Sequence, residues 1–229
     1  MNTIRILEIK KSVYENNDLE ADKLRADLKQ RKTFLINLMS SPGSGKTSSV
    51  LRIAEKLKDA YKIGVMEADI DSAVDAQTVA DAGIPVIQIH TGGMCHLDAE
   101  MTRQGADSPE MQGLDFVILE NVGNLVCPAE FDTGASKNMM ILSVPEGDDK
   151  PLKYPLMFSK VDLLLINKID TISLFDFDFD AVEARVRKRN PGIKIMKVSA
   201  KTGEGFDEVA AWFRTEIDAW NTTVCASPS

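Results

Sequence analysis

Short apolar runs alternate with loops and amphipathic stretches along the chain from Phe34 onward. The runs have the length of buried parallel strands, and several stretches between them repeat apolar residues at helical spacing. This order predicts an α/β fold, with a mostly parallel central sheet flanked by helices on both faces. Predicted strands cover residues 34–39, 62–67, 85–90, 115–120, 138–143, 161–166 and 193–198, and predicted helices lie near 45–60, 72–82, 179–190 and 204–220.

The first 33 residues follow a different pattern. A short extended piece is expected over Ile4–Ile9, followed by a charged helix from about Asn17 to Lys32. The helix has a thin apolar stripe, which predicts packing on the main domain, with packing in a dimer as the alternative. The stripe consists of Leu19, Leu24 and Leu28.

The first apolar run breaks into a small-residue loop that ends in Gly-Lys-Thr and leads into a helical pattern. Such a strand, loop and helix form a phosphate-binding loop, in which backbone N–H groups converge on phosphate oxygens. Lys46 can reach the β and γ phosphates, and the Thr47 hydroxyl can ligate Mg²⁺. Ser40 replaces the usual first glycine of the motif, but serine is small enough to keep the loop intact. The predicted nucleotide-binding residues here are Gly43, Ser44, Gly45, Lys46, Thr47 and Ser48.

Two later motifs identify the base. Asn167-Lys168-Ile169-Asp170 follows an apolar strand and matches N-K-x-D. The Asp170 carboxylate can accept from N1–H and N2–H₂ of guanine, whereas adenine offers an acceptor there and would be repelled. The Lys168 stem would pack along the base. The S-A-K loop, whose backbone N–H approaches guanine O6, follows the next strand at Ser199, Ala200 and Lys201. An ordinary polar turn at the end of a strand would explain an isolated N-K-x-D match. The N-K-x-D and S-A-K motifs in this order, each after a strand, favour GTP over ATP.

Composition limits the class of protein further. The 229 residues are 44% hydrophobic, which is enough for one large core, and the net charge of −8 argues against nucleic-acid or membrane partners. No apolar run approaches the roughly 18 residues of a membrane span, and the first residues lack a signal-peptide core. We therefore expect a cytoplasmic protein. The domains expected are an N-terminal extension with a charged amphipathic helix (1–33), a P-loop GTPase domain (34–220) and a flexible tail (221–229).

Carboxylates close two of the predicted strands. Asp69 lies at the end of the second and Glu120 at the end of the fourth, and both ends should face the phosphates. One would orient water or hold Mg²⁺ through water, and the other occupies the place of the metal-side acid in P-loop enzymes. Which of them orients the water stays open. Helix capping by Asp71 or Asp69 is the alternative. With Lys46, these two carboxylates form the predicted catalytic set and, with Thr47, the predicted Mg²⁺ ligands.

Thiols and an imidazole make up a second candidate site. Cys95 and His96 are adjacent, and Cys127 follows Glu120 by seven residues. Three ligands do not close a tetrahedral site, so water or a second subunit would complete it. The ligand types suit Ni²⁺ or Zn²⁺ and do not decide between them. Judged by spacing alone, two unrelated core cysteines are the alternative. Three cysteines in a chain without an export signal argue against a disulfide framework.

The order of these segments resembles the HypB family of hydrogenase nickel-incorporation GTPases from Phe34 to about Trp212. The matching segments are SSPGSGKT, CHLDA, ENVGNLVCP, PEGDDKPLKYPLMF, NKID and SAKTGEG. The resemblance implies a homodimeric GTPase of the class that includes signal-recognition GTPases, with metal held at the dimer interface by Cys95, His96 and Cys127. It also implies nickel delivery to the large-subunit precursor of a [NiFe]-hydrogenase, together with a HypA-type chaperone.

The family also implies a role for a lysine in the KPLKYP segment, which reaches the nucleotide of the other protomer. Here this is Lys153, which would supply the charge missing at Ser41, where related ATPases carry a lysine. The chain departs from some members in having neither an N-terminal cysteine motif nor a histidine-rich tract, and Met94 stands where glycine is expected. A store or a first site of high affinity is therefore not expected.

Nucleotide and metal should be coupled, since GTP and Mg²⁺ would draw residues 120–124 toward the γ phosphate and shift Cys127. Two rival functions remain. A urease accessory GTPase would use a Cys-Pro-His motif, but Ala129 follows Cys127-Pro128 here. A GTP-dependent regulatory switch without metal transfer is the other.

Overall fold

The computed structural model describes residues 9–69 and 74–222. Their strands are β1 (Phe34–Ser40), β2 (Ile63–Asp69), β3 (Val86–His90), β4 (Phe116–Glu120), β5 (Lys137–Ser143), β6 (Leu163–Asn167) and β7 (Lys194–Lys197). Their helices are α1 (Ile9–Arg31), α2 (Lys46–Leu57), α3 (Val74–Asp81), α4 (Ala99–Ala106), α5 (Lys150–Lys153), α6 (Pro155–Ser159), α7 (Phe179–Arg187) and α8 (Phe206–Thr222). Short 3-10 turns occur at Pro109–Met111, Cys127–Ala129, Val144–Glu146 and Ile169–Leu174.

The seven strands form one sheet in the order β3-β2-β4-β1-β5-β6-β7, and every neighbouring pair is parallel. The predicted α/β class is therefore confirmed. Strand β1 lies at the centre, and the chain crosses from one side of it to the other. In open α/β sheets, ligands bind beyond the carboxyl ends of the strands at such a switch point. The loop that follows β1 occupies that position.

Strand β1 is buried along its whole length, as expected for a central strand covered on both faces. Ile36 and Leu38 pack in the core under α2 and α8, while Leu35 joins the core under α1 and α4. This burial fixes the end of β1, and with it the start of the loop.

Helix α1 packs on the main domain. Ala21, Leu24 and Leu28 are at most 2% exposed, so two of the three residues in the predicted stripe are buried. Leu19 is 61% exposed and does not take part. The helix begins at Ile9, earlier than predicted, so Ile9 is helical rather than extended. The rest of the predicted extended piece lies outside the described residues, as do residues 223–229 of the predicted tail.

The strand predictions agree with the structure to within two residues at each end. Three helices were missed. The segment after His96 was interpreted for its chemistry, yet it forms α4, whose first turn is capped by Asp98 Oδ1 accepting from the Met101 N–H at 2.8 Å. Helices α5 and α6 are too short to show a helical period. Within the described residues, no helix is both long and apolar enough to span a bilayer.

Candidate nucleotide site and thiol pair

The loop after β1 is built from hydrogen bonds that include the unusual serine. Ser40 and Ser44 are fully buried, and the Ser44 hydroxyl donates to Ser40 Oγ at 2.7 Å. Gly45 has φ of +98°, and a Cβ there would lie 2.5 Å from Asn167 Nδ2. Only glycine fits this close approach. Helix α2 then begins at Lys46, directly after the loop, and the N–H groups at a helix N-terminus suit an anion.

The two base-recognition motifs meet at this loop. Asn167 is buried and bridges the phosphate-binding loop and the S-A-K loop. Its Nδ2 donates to Ser44 O at 2.9 Å, and its Oδ1 accepts from the Ala200 N–H at 3.0 Å. Lys168 donates to Gly43 O at 2.7 Å. The structure therefore brings the N-K-x-D and S-A-K segments together against the phosphate-binding loop.

The S-A-K motif orients the Asp170 carboxylate. The Ser199 hydroxyl donates to Asp170 Oδ1 at 2.6 Å, and Ser199 itself is buried. Sequence reasoning missed one supporting residue, Arg52 of α2. It donates through Nε to Ala200 O at 3.0 Å and through Nη2 to Lys201 O at 3.2 Å. Only the three-dimensional approach of α2 to the S-A-K loop identifies this contact.

Acidic residues line the ends of β2 and β4 beside the loop. Glu120 ends β4, is 3% exposed, and lies in register with Leu38 of β1 on one side and Glu67 of β2 on the other. Glu67 is also buried, and sequence reasoning passed it over in favour of Asp69, the last residue of β2. The alternation of side chains along a strand offered a signal, because it predicts the same face for sequence positions 67 and 69. Asp71 lies outside the described residues.

The segment after Glu120 contacts the phosphate-binding loop directly. The Asn121 N–H donates to Leu38 O at 2.9 Å, and its side chain donates to Asn37 Oδ1 at 3.0 Å. A Cβ added to Gly123 would lie 3.1 Å from Pro42 Cγ. The backbone at Gly123 thus rests on the loop that would hold the phosphates, four residues before Cys127.

The two thiols, Cys95 and Cys127, form a pair. Their sulfur atoms lie 2.7 Å apart although 32 residues separate them. Both side chains are partly exposed, which does not suit the alternative of two unrelated core cysteines. The hydrogen bond between the two thiols raises the pKa of Cys127, burial adds to this, and a hydrogen bond with Asn124 opposes it. Asn124 Oδ1 also accepts from the Val126 N–H at 2.8 Å, which shapes the turn before Cys127.

His96 lies beside the thiol pair but faces an aromatic ring. It stacks on Phe131 with ring centroids 3.8 Å apart and an interplanar angle of 11°. Its Nδ1 is buried and has no hydrogen-bond partner among the described residues, and burial lowers the pKa of the imidazole. The described part of one chain contains no arrangement of three or more His, Cys, Asp or Glu side chains able to hold a metal. Of the three predicted ligands, one chain therefore brings only the two thiols together.

Apolar side chains flank the thiol pair on the surface. Met94 is 39% exposed and Val126 is 52% exposed, each one residue before a thiol. Lys153 lies on α5, where an ion pair with Asp149 at 2.5 Å raises its pKa. Leu152, next to it, is 59% exposed. Each thiol therefore has an exposed apolar side chain directly before it in the chain.

The fold and the loop define a P-loop nucleotide-binding protein. A family model described as the CobW/HypB/UreG nucleotide-binding domain matches residues 34–197. Hydrogenase maturation factor HypB of Escherichia coli (strain K12) is 42% identical over 216 residues, covering 94% of this chain and 74% of that protein. A crystal structure of HypB from Helicobacter pylori in complex with nickel superposes with a TM-score of 0.84 at 36% identity, covering 93% of this chain and all of that one.

The chain belongs to the HypB family of hydrogenase maturation factors. The signal recognition particle receptor FtsY from Elizabethkingia anophelis, in complex with GDP, shares the fold at a TM-score of 0.53 and 15% identity, covering 92% of this chain and 73% of that one. The resemblance inferred from the sequence segments is thus confirmed, and so is the P-loop GTPase fold.

Proposed function

We propose that this protein is a GTPase that delivers nickel during the maturation of a [NiFe]-hydrogenase, with a metal site at a subunit interface controlled by the bound nucleotide. One observation carries the proposal. The chain that connects the two sites is short, because Gly123 rests on Pro42 of the phosphate-binding loop and Cys127, paired with Cys95, follows four residues later.

The nucleotide in this proposal is GTP, and its product is GDP. The N–H groups from Gly43 to Ser48 cradle the phosphates, and Lys46 neutralises the β and γ oxygens. Asp170, oriented by Ser199, accepts from the guanine N–H groups, and the S-A-K backbone at Ala200 and Lys201 approaches O6. Asn167 holds the two base loops on the phosphate loop, as its hydrogen bonds to Ser44 and Ala200 support.

Hydrolysis would use the carboxylates at the strand ends. Thr47, Asp69 and Glu120 would hold Mg²⁺, which supplies neutralisation of phosphate charge when bound. The buried position of Glu120 beside β1 suits that donor set. One carboxylate orients the attacking water, and Lys46 stabilises the charge that develops on the γ phosphate.

Two protomers would complete the metal site. Cys95 and Cys127 supply two thiolates from one chain, so a second copy closes a site that needs about four ligands. His96 is the third candidate ligand of each chain after its ring turns from Phe131, so that two copies would offer six donors for the positions of the site. The donor set suits Ni²⁺ and Zn²⁺ alike. The apolar residues Met94 and Val126 would be buried in the same contact, and Lys153 would leave Asp149 to reach the partner's nucleotide.

The same proposal places the protein in the cytoplasm, where its partners would be a HypA-type nickel chaperone and the hydrogenase large-subunit precursor. The net charge of −8 supports protein and metal partners over nucleic acid.

Metal analysis of the purified protein and of Cys95→Ala tests this function. We expect nickel to bind the unsubstituted protein in the presence of a GTP analogue and to be lost in the variant, while basal GTP turnover remains. GTP turnover and dimerisation that ignore both nickel and the substitution would instead favour a regulatory switch.

A further inference from the structure

Helix α1 contacts one of the two loops that carry the thiols and the residue that directly follows the other. The first loop, residues 91–98, presents Cys95, and the second, residues 124–132, presents Cys127. These two ligand loops belong to different parts of the sheet, after β3 and β4. Because each is a surface loop, something must fix their separation for the thiols to meet.

A single side chain of α1 joins the end of the second ligand loop to the residue that directly follows the first. Asn17 Oδ1 accepts from the Ala99 N–H at 2.9 Å, three residues after His96, and Asn17 Nδ2 donates to Asp132 O at 2.9 Å, at the end of the second loop. Both contacts are to main-chain groups, so they fix backbone rather than one rotamer. One amide thus ties the chain just beyond Cys95 and His96 to the chain just beyond Cys127.

An aromatic stack reinforces this link one helical turn earlier. Tyr14 of α1 packs against Phe131 with centroids 5.0 Å apart, and the His96 ring stacks on the same Phe131. The Tyr14 hydroxyl donates to Glu130 Oε2 at 2.8 Å. The orientation of the imidazole therefore depends on a ring that α1 holds.

The end of the second loop is anchored further along the helix. Arg25 donates to Asp132 Oδ2 at 2.7 Å and, through Nε, to Ala135 O at 3.0 Å. Gly134 lies so close to the helix that an added Cβ would be 2.9 Å from Leu24 Cδ2. Helix α1 therefore fits against this loop along more than two turns.

We propose that α1 is a clamp that sets the separation of the two ligand loops, and that Asn17 is its central positioning residue. This inference rests on the proposed function where it concerns nickel. Outer partners that orient metal ligands typically change metal affinity by about 10-fold to 100-fold when removed. Without Asn17 the two hydrogen bonds that fix the backbone beside these loops to α1 are lost, the stack of His96 on Phe131 remains, and the thiols meet less often.

Nickel affinity, measured with Ni²⁺ against a competing chelator, gives the first test. We expect Asn17→Ala to weaken binding about 10-fold and to reduce the thiolate-to-nickel charge-transfer absorption, with GTP affinity unchanged. Asn17→Asp keeps the acceptor for Ala99 and loses the donor to Asp132 O. Its nickel affinity should therefore lie between that of the unsubstituted protein and that of Asn17→Ala, and it serves as the test if Asn17→Ala folds poorly. Arg31→Ala is the matched control, because Arg31 links α1 to Asp107 far from the ligand loops.

A second test needs no metal and separates the clamp from the proposed function. In a Cys225→Ala background, only Cys95 and Cys127 remain as thiols. Oxidised glutathione converts this pair to a disulfide with release of two reduced glutathiones, and the equilibrium constant reports how often the thiols meet. We expect Asn17→Ala to lower that constant about 10-fold and Arg31→Ala to leave it within about twofold, in line with the effect of removing an outer partner.

The outcomes are distinct. An unchanged glutathione equilibrium in Asn17→Ala, or an equal loss in Arg31→Ala, would overturn the clamp. Nickel binding that ignores Cys127→Ala would overturn the proposed metal site, while a lowered glutathione equilibrium in Asn17→Ala would still support the clamp.

Discussion

The nucleotide site and the thiol pair differ in how much of each site one chain completes. Around the phosphate-binding loop, Asn167, Lys168 and Ser199 form hydrogen bonds that already connect three separate segments. At the thiol pair, by contrast, the described part of the chain brings two sulfurs together and leaves the imidazole stacked on Phe131. A preorganised site binds without waiting for a partner, whereas an incomplete one depends on assembly. Because nucleotide can bind to one chain while the metal site depends on assembly, a bound nucleotide could control metal binding by controlling that assembly.

Removal of a thiolate should have the largest effect, because it acts on the site that has fewest ligands. A closed structural Zn²⁺ site has a binding free energy of roughly 10–16 kcal/mol, and by analogy the loss of Cys127 from each of two protomers should cost a nickel site on the order of 5 kcal/mol. We expect Cys127→Ala to weaken nickel binding more than about 1,000-fold, measured by equilibrium dialysis. GTP affinity should stay as it is.

Cys225→Ala is the matched control for that change, since it removes the third cysteine of the chain without touching the pair. Nickel binding should survive it. Equal losses in the two variants would mean that nickel binds to thiols without a defined site.

Loss of the carboxylate that recognises the base should have the second-largest effect, and it should change nucleotide affinity without changing nickel affinity. Two hydrogen bonds to a carboxylate are worth about 3 kcal/mol or more together, so Asp170→Asn should weaken GTP at least about 100-fold. The extra carbonyl of xanthosine triphosphate suits the new amide, so that nucleotide should bind instead. Competition with a fluorescent nucleotide measures both affinities, and a retained preference for GTP would refute the base assignment.

Loss of the residue that orients Asp170 should cost less. Ser199→Ala removes a 2.6 Å hydrogen bond and leaves the carboxylate in place, so GTP affinity should fall by about fivefold to tenfold, or roughly 1 kcal/mol. Discrimination against ATP should fall with it, whereas nickel binding should not change. A loss as large as that of Asp170→Asn would mean that Ser199 contacts the nucleotide itself.

The smallest effect is expected where the loop departs from its usual sequence. Ser40→Gly restores the common residue but leaves the buried Ser44 hydroxyl without its partner. The free energy of unfolding should fall by about 1 kcal/mol in a urea titration, with GTP affinity within about twofold. A large loss of GTP affinity would show that the serine pair shapes the phosphate cradle.

The sheet and the nucleotide motifs were predictable because their signals are local. A buried strand such as Leu163–Asn167 is a continuous apolar run, and the motif that follows it stands at a known end of that strand. Short helices were not predictable, since α5 has four residues and shows no period. The helix at Ala99–Ala106 was hidden in a segment whose residues carry chemistry.

Contacts between distant segments were the part that sequence could not supply. The pairing of Cys95 with Cys127 followed from resemblance rather than from spacing, since 32 residues separate them. Glu67 was passed over although strand alternation predicts the same face for sequence positions 67 and 69. Nothing in the sequence connects Asn17 with Ala99 and Asp132, because that link depends on where α1 packs.

Control of the metal site by the bound nucleotide is tested most directly by the affinity for nickel, measured once with GDP and once with a non-hydrolysable GTP analogue. The monomer–dimer equilibrium is followed in the same samples. Coupling between two sites is typically worth about 1–3 kcal/mol and is reciprocal. We predict that the analogue changes nickel affinity by at least about fivefold and favours the dimer, and that nickel changes analogue affinity by the same factor. Equal nickel affinities together with an unchanged monomer–dimer equilibrium would contradict control of the metal site by the nucleotide.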